Sequence, residues 1–286
     1  MTTAEKITKQ LKVLGNETAA EHAQRFFKTG PGQYGAGDLF LGITVPVLRK
    51  LAKEHRDIAL DDTIELLQSP LHEVRLLALL IMVLQYERGG NETAIYRAYL
   101  ANTHRINNWD LVDVSAAQIV GAHLFEYNRA QPEHLTNEPS SSPVIVGRAS
   151  RIRERVSVQK HRLPGVPGKS VLQETAETSE SLTVLTKLAK SKSLWERRIA
   201  IIATFYFIRR NQFDNTLALA DILLNDKEDL MHKAVGWMLR EVGKRDLKVE
   251  EDFLIPRYKQ MPRTLLRYAI ERFPEPKRLD YLNSRV

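Results

Sequence analysis

The sequence predicts an all-α protein built from stacked helical repeats. Three observations carry this expectation. Apolar residues recur at helical spacing along most of the 286 residues. Convincing strand alternation is absent. Related helix patterns return at intervals close to 35 residues.

Helical periodicity places helices over 16–27, 45–55, 61–67, 71–86 and 109–125, and later over 194–209, 214–224, 229–244, 249–258 and 262–273. The best strand candidate, LFLGITV at 39–45, is short and leads into the next helix. Four helices share a charged or polar residue, two intervening positions and a small residue. These are Arg75/Ala78, Arg197/Ala200, Lys233/Gly236 and, more loosely, Leu266/Ala269. The last three begin 36 and 33 residues apart, and one step of 35 from Arg75 reaches Asp110. A period of this size means stacked helix pairs, each burying its face on its neighbours. A HEAT-like helical repeat solenoid with a concave face is the expected architecture, as a single domain over 1–286.

The step from Asp110 to Arg197 is about 50 residues too long for one period. The surplus falls in 128–182, which holds the clusters NEPSSSP and LPGVPGK and the run LQETAETSES. No Phe, Tyr or Trp occurs from Asn128 to Leu194. Such a stretch buries too little apolar surface to offset its ordering entropy, so a disordered insertion between repeats is expected at about 128–182.

Composition excludes several functions. Without cysteine there is no disulfide, thiolate metal site or cysteine nucleophile. The charged, amphipathic start carries no secretory signal, and no apolar run approaches the roughly 18 residues needed to cross a bilayer. The expected setting is intracellular: cytoplasm or nucleoid, or nucleus in a eukaryote. The formal net charge of +7 invites a nucleic-acid partner. However, residues 139–170 hold seven basic residues and one acid, a net +6, leaving about +1 for everything else. A DNA argument must therefore rest on local faces.

Other motifs are empty. Gly30-Pro31-Gly32-Gln33-Tyr34-Gly35 matches GxGxxG, but a helix precedes it and DLFLGITVP follows, so it reads as a connector between helices. The eight histidines show no metal-binding spacing, and no metal or other cofactor is expected. No GxSxG is present.

One segment stands out. In NNWDLVDVSAA, Trp109 and Asp113 are four apart and share a helix face. Leu111, Val112 and Val114 supply packing around them. Asp110 suits a helix N-cap. Asp113 must cap, pair or work, because a buried unpaired carboxylate is costly. Two further segments can join it: LWERRIAI, with Arg197 and Arg198 at a helix start, and HKAVGWMLRE, with Trp237 on a core-like helix. Gly236 there costs helix stability, which implies close packing or an approaching ligand.

Together NNWDLVD, LWERRIAI and HKAVGWMLRE, in that order, resemble the diagnostic segments of the AlkD-type alkylpurine DNA glycosylases, the HEAT-like repeat DNA alkylation repair family. The stretch FFKTGPGQYGAGDLFLGITVPVLRKLAK resembles that family's N-terminal region. The likeness covers nearly the whole chain except the insertion. It implies Asp113 as catalytic aspartate, Trp109 and Trp237 as the tryptophans flanking the lesion, and Arg198, with Arg197 beside it, as contacts to the DNA backbone. An aromatic near the second helix is Phe26 or Phe27 here, without a hydroxyl. Lys192, Lys233, Arg240 and Lys244 are further candidates to track phosphates. The implied activity is monofunctional hydrolysis of the glycosidic bond of N3- or N7-alkylated purines, without a deep base-flipping pocket. The implied partner is double-stranded DNA containing alkylated bases, and a monomer is expected. The alternative is a non-catalytic HEAT-like scaffold that binds nucleic acid or protein.

Overall fold

The computed structural model describes residues 1–130 and 180–286. Among these, the regular elements are helical, and the sole extended contact is an isolated parallel bridge between Leu39 and Leu71. The strand candidate at 39–45 is therefore a connector, as its length suggested.

The chain begins with α1 (Thr3–Leu14), capped by Thr2 and Glu5 in a reciprocal capping box and burying Ala4, Ile7 and Leu11. The first half continues through α2 (Glu17–Phe26), α3 (Val45–Glu54), α4 (Leu60–Leu67), α5 (His72–Arg88) and α6 (Glu92–Ala101). After a 3₁₀ turn at Thr103–Arg105 comes α7 (Trp109–Asp113), a π turn at Ala117–Gly121 and α8 (Ala122–Ala130). The second half comprises α9 (Glu180–Ala189), α10 (Leu194–Ala203), α11 (Phe205–Ile208), α12 (Asp214–Ile222), α13 (Asp229–Gly243), α14 (Leu247–Leu254), α15 (Arg263–Ala269) and α16 (Glu275–Leu282). The helix α5 is buried nearly all round, so it forms the middle of the first half's core. Along the array, α5 packs on the π turn, that turn on α10, α10 on α13 and α13 on α15. This is the HEAT-like helical repeat expected from the sequence.

The repeats share a hydrogen-bonded signature. Ser69, Ser191 and Asp226 each accept, on the side chain, from the backbone N–H two residues on (3.2, 3.1 and 3.0 Å). Each also accepts, on its carbonyl, from a side chain six residues on: Arg75, Arg197 and His232 (3.0, 3.2 and 2.6 Å). The third equivalent of Arg75 is thus His232, and the register read from Lys233 is corrected by one residue.

Several expected helices differ in extent. The single helix over 109–125 is broken after Asp113. Ser115 Oγ donates back to the Leu111 carbonyl at 2.6 Å, a bond that bends helices. Gly121 then lies so close to α10 that a Cβ there would sit 2.2 Å from the Ala203 carbonyl oxygen. Likewise the helix over 194–209 divides at Thr204, whose hydroxyl bonds Ile201 O at 2.7 Å. The helices α1, α6, α9 and α16 lie outside the predicted set. Their apolar faces are thin: α6 buries Ile95 and Tyr99, and α16 buries Tyr281. The insertion expected at 128–182 loses both ends, since α8 reaches Ala130 and α9 starts at Glu180. The rest of it lies outside the described residues.

Candidate functional site

At the start of α7, Asn108 is the cap: its Oδ1 accepts from Trp109 N at 2.8 Å. Asp110 is therefore not the cap, a correction to the sequence reading. One of its oxygens accepts from Leu111 N, and the other lies 2.8 Å from His72 Nε2. Trp109 stacks on Phe27 with ring centroids 5.3 Å apart, and Phe26 meets it edge-on at 6.1 Å.

Asp113 closes α7 and faces α10. Both its oxygens accept from Arg198, Oδ1 from Nε and Oδ2 from Nη2, each at 2.9 Å. Arg198 is fixed further by donating through Nη1 to Leu230 O at 2.7 Å. The pair is shielded but not sealed: the Asp113 side chain is 19% exposed and that of Arg198 6%. Burial pushes the Asp113 carboxyl above the usual carboxylate range, and the opposing pull of Arg198 does not cancel it.

Trp237 projects from the middle of α13. Its Nε1 donates to Glu241 Oε1 at 3.1 Å, and Phe205 lies 6.1 Å away. Gly236 beside it is explained by packing. A Cβ there would meet Leu265 O and Tyr268 Cβ, each at 2.5 Å, so glycine lets α15 approach and brings Tyr268 in.

These elements enclose a cleft of about 490 Å³. Phe26, Tyr34, Trp109, Trp237 and Tyr268 supply aromatic walls; Arg198, Lys233, Arg240 and Leu230 complete it. Trp109, Trp237, Arg198, Lys233 and Arg240 are thus brought together, and Asp113 joins them through Arg198. Lys233 is half-exposed and pairs with Asp229 at 2.8 Å. Arg240 pairs with Glu271 and approaches Glu241. Lys244, bonded to Glu241 at 2.6 Å, is not among the lining residues. Arg197 is drawn away: its guanidinium is taken by Asp226 (2.6 and 3.2 Å) and by the carbonyls of Ser191 and Lys192. Its role is to hold the repeat signature, and Lys192 is exposed at that same turn. Sequence reasoning missed Tyr34 and Tyr268. Only Gly236 hinted at Tyr268.

A larger cavity of about 610 Å³ lies between α5, α6, α8 and α11. It shares no lining residue with the cleft. Among the described residues, no cluster of His, Cys, Asp and Glu suits a metal, and no helix is long and apolar enough to cross a membrane.

Behind Trp109 lies a buried network that the sequence did not show. Asp38, from the connector after α2, accepts from Arg75 Nη2 at 2.6 Å, His72 Nδ1 at 3.1 Å, Asn108 Nδ2 at 3.2 Å and Asn107 Nδ2 at 3.4 Å. Burial pushes the Asp38 carboxyl up, but the His72 hydrogen bond and the charges of Arg75 and His72 outweigh it and bring it to about 2. Burial pushes His72 down, and its bonds to Asp110 and Asp38 override that and raise it to about 9.

Five aromatic rings with Arg198, Lys233 and Arg240 give this helical repeat an aromatic, basic cleft, and the Asp113–Arg198 pair adjoins it. The family model for DNA alkylation repair enzymes matches residues 7–140 and 168–273, and the chain belongs to that family. A solved structure described as a predicted DNA alkylation repair enzyme from Enterococcus faecalis shares the fold, with a TM-score of 0.59 and 15% identity, over 91% of this chain and 97% of that one. No curated protein matches the sequence.

Proposed function

We propose that this protein is a monofunctional DNA glycosylase that hydrolyses the glycosidic bond of purines alkylated at N3 or N7 in duplex DNA. The observation that carries the reading is the Asp113–Arg198 pair, whose arginine lines a cleft walled by Trp109 and Trp237. A purine alkylated at N3 or N7 is cationic, so its glycosidic bond is already weakened and no general acid is required. The transition state resembles an oxocarbenium ion. A carboxylate beside the sugar stabilises that charge and orients water toward C1′. Indole faces add about 0.5–2 kcal/mol each toward the cationic sugar and base.

The arrangement suits this chemistry. A carboxylate has about four acceptor sites, and Arg198 fills two of those on Asp113. The exposed edge is left for water or sugar. Shallow aromatic walls hold a lesion without a deep base pocket. On this reading Lys233 and Arg240, which line the cleft, and Lys244 further along α13 meet phosphates by exchanging their present carboxylate partners.

The test is release of 7-methylguanine from alkylated duplex DNA. Wild type is expected to release base, and Asp113→Asn to slow release by at least about 100-fold. No release by wild type sinks the proposal; equal release by both proteins removes Asp113 from the mechanism. A second reading, a DNA-binding scaffold without catalysis, is favoured by the engagement of both Asp113 oxygens with Arg198. It predicts tight binding of alkylated duplex with no released base.

A further inference from the structure

The segment bearing Trp109 is gripped from behind. His72 is 1% exposed, and its two ring nitrogens lie 3.1 Å from Asp38 Oδ2 and 2.8 Å from Asp110 Oδ2. Ionised carboxylates only accept, so both contacts are hydrogen bonds only when both ring nitrogens carry hydrogen. Arg75 donates to Asn107 Oδ1 at 3.1 Å while holding Asp38. Asn108 donates to Asp38 and accepts from the Trp109 backbone. Every residue from Asn107 to Asp110 is therefore tied to this cluster. A second route runs through rings. His72 stacks on Phe40 at 4.4 Å, Phe40 on Phe27 at 5.0 Å, and Phe27 on Trp109 at 5.3 Å.

We propose that doubly protonated His72 is a positioning residue that fixes Trp109, and through α7 Asp113, in the geometry the reaction needs. The consequence for catalysis rests on the glycosylase reading; the grip on Trp109 does not. A neutral imidazole donates once, so one carboxylate must let go. Asp110 is the more exposed of the two, with 14% of its side chain in solvent against 4% for Asp38. Asp110 then turns to water, and the start of α7 keeps only the Asn108 cap and the ring contacts of Trp109, while Asp113 at its far end stays with Arg198. The charged groups around His72 are Asp38, Asp110 and Arg75, with Arg105 acting on Arg75 and Asp113 facing Asp110.

The first arm uses the full chain with Trp195→Phe and Trp237→Phe, which leaves Trp109 as the sole indole. Its emission and anisotropy are followed from about pH 6 to 10.5. A transition centred near pH 9 is expected. The same chain with His72→Gln is expected to lack it and to show lower anisotropy at pH 7. The titration with His72 in place decides the matter even if His72→Gln does not fold: no transition between about pH 8 and 10 overturns the proposal.

The second arm measures single-turnover release of 7-methylguanine in the chain with all its tryptophans. His72→Gln is expected to slow release about 10- to 100-fold, with affinity for undamaged duplex within about twofold. Adding Asp110→Asn, which lets two neutral amides pair, is expected to recover part of the rate. A loss that only follows the folded fraction, with no recovery in the double variant, overturns the proposal. Absence of release by every chain, with the Trp109 transition present, overturns the glycosylase reading and leaves the placement of Trp109 by His72 standing.

Discussion

Asp38 and Asp113 are both paired with arginine, and they are not alike. Asp38 has all four acceptor sites filled, by Arg75, His72, Asn107 and Asn108, and 4% of its side chain meets solvent. Its carboxyl is held at about 2. Asp113 has two sites filled, both by Arg198, keeps 19% exposure, and its carboxyl is raised. Pairing with arginine is common to both, so pairing alone does not decide which carboxylate is open to a ligand. What separates them is spare acceptor capacity and access to water. A carboxylate with every lone pair satisfied is fixed as an anion and unavailable. One held by a single arginine and still partly exposed is oriented and has a free side.

Replacing each aspartate by asparagine is the strongest test of that distinction. Asp38→Asn leaves His72 and Arg75 buried without their shared counter-ion, and is expected to cost about 3–5 kcal/mol in urea denaturation. Asp113→Asn keeps an acceptor for Arg198, which also holds the Leu230 carbonyl, and is expected to cost about 1–2 kcal/mol. On the glycosylase reading, base release is expected to behave in reverse once corrected for folded fraction. Equal destabilisation by the two changes would erase the comparison.

The pH dependence of stability separates them next. His72 is raised from 6.5 to about 9, so its contribution is complete below about 6.5 and is lost as pH rises through about 9. Asp38 is lowered from 3.8 to about 2, so its contribution is complete above about 4 and is lost as pH falls through about 2. The network is therefore at full strength between about pH 4 and 6.5. Between pH 6.5 and 10 the unfolding free energy is expected to fall by on the order of 2–3 kcal/mol on account of His72. Chemical denaturation across that range should show a fall in wild type that is larger, by that amount, than the fall in His72→Gln.

Much of this was legible in the sequence, and the omissions have physical causes. The helical class and the repeats follow from apolar spacing. Trp109, Asp113 and Trp237 stood out because tryptophans and a carboxylate are conspicuous in apolar runs, whereas Arg198 was marked by the family resemblance. Apolar spacing alone could not separate Arg197 from Arg198; the resemblance favoured Arg198. Adjacent positions on a helix point about 100° apart, and only packing shows which meets Asp226 and which meets Asp113. Asp38 was hidden because it lies in a glycine-rich connector and acts on residues more than 30 positions away. The break after Asp113 was hidden for a similar reason: Ser115 bends the helix while sharing a hydrogen bond with Tyr99, a contact between helices that periodicity does not carry.

A third carboxylate completes the comparison, because it is sealed and unpaired. Glu250 on α14 is 2% exposed, and its Oε1 has no hydrogen-bond partner. Its carboxyl occupies the space that a side chain on Gly243 would need, since a Cβ there would lie 1.6 Å from Oε2. Burial raises it from 4.5 to about 9, with neighbouring Glu251 adding to the shift and Arg240 opposing it. Arg240 is committed to Glu271 and leans on Glu241, so its pull is divided. A raised carboxyl contributes its stability below the unfolded value and loses it as pH rises through the folded one. Between about pH 4.5 and 9, folding must therefore keep a proton that the unfolded chain gives up. Glu250→Gln retains the shape and removes that demand. It is expected to stabilise the protein by about 1–2 kcal/mol at pH 8 and by almost nothing at pH 4, measured by urea denaturation at both. Unlike Asp38→Asn it should strengthen the fold, and unlike Asp113→Asn it should leave base release unchanged. A loss of stability at pH 8 would mean that Glu250 is ionised and paired in solution, and that sealing a carboxylate away from a partner does not by itself destabilise this repeat.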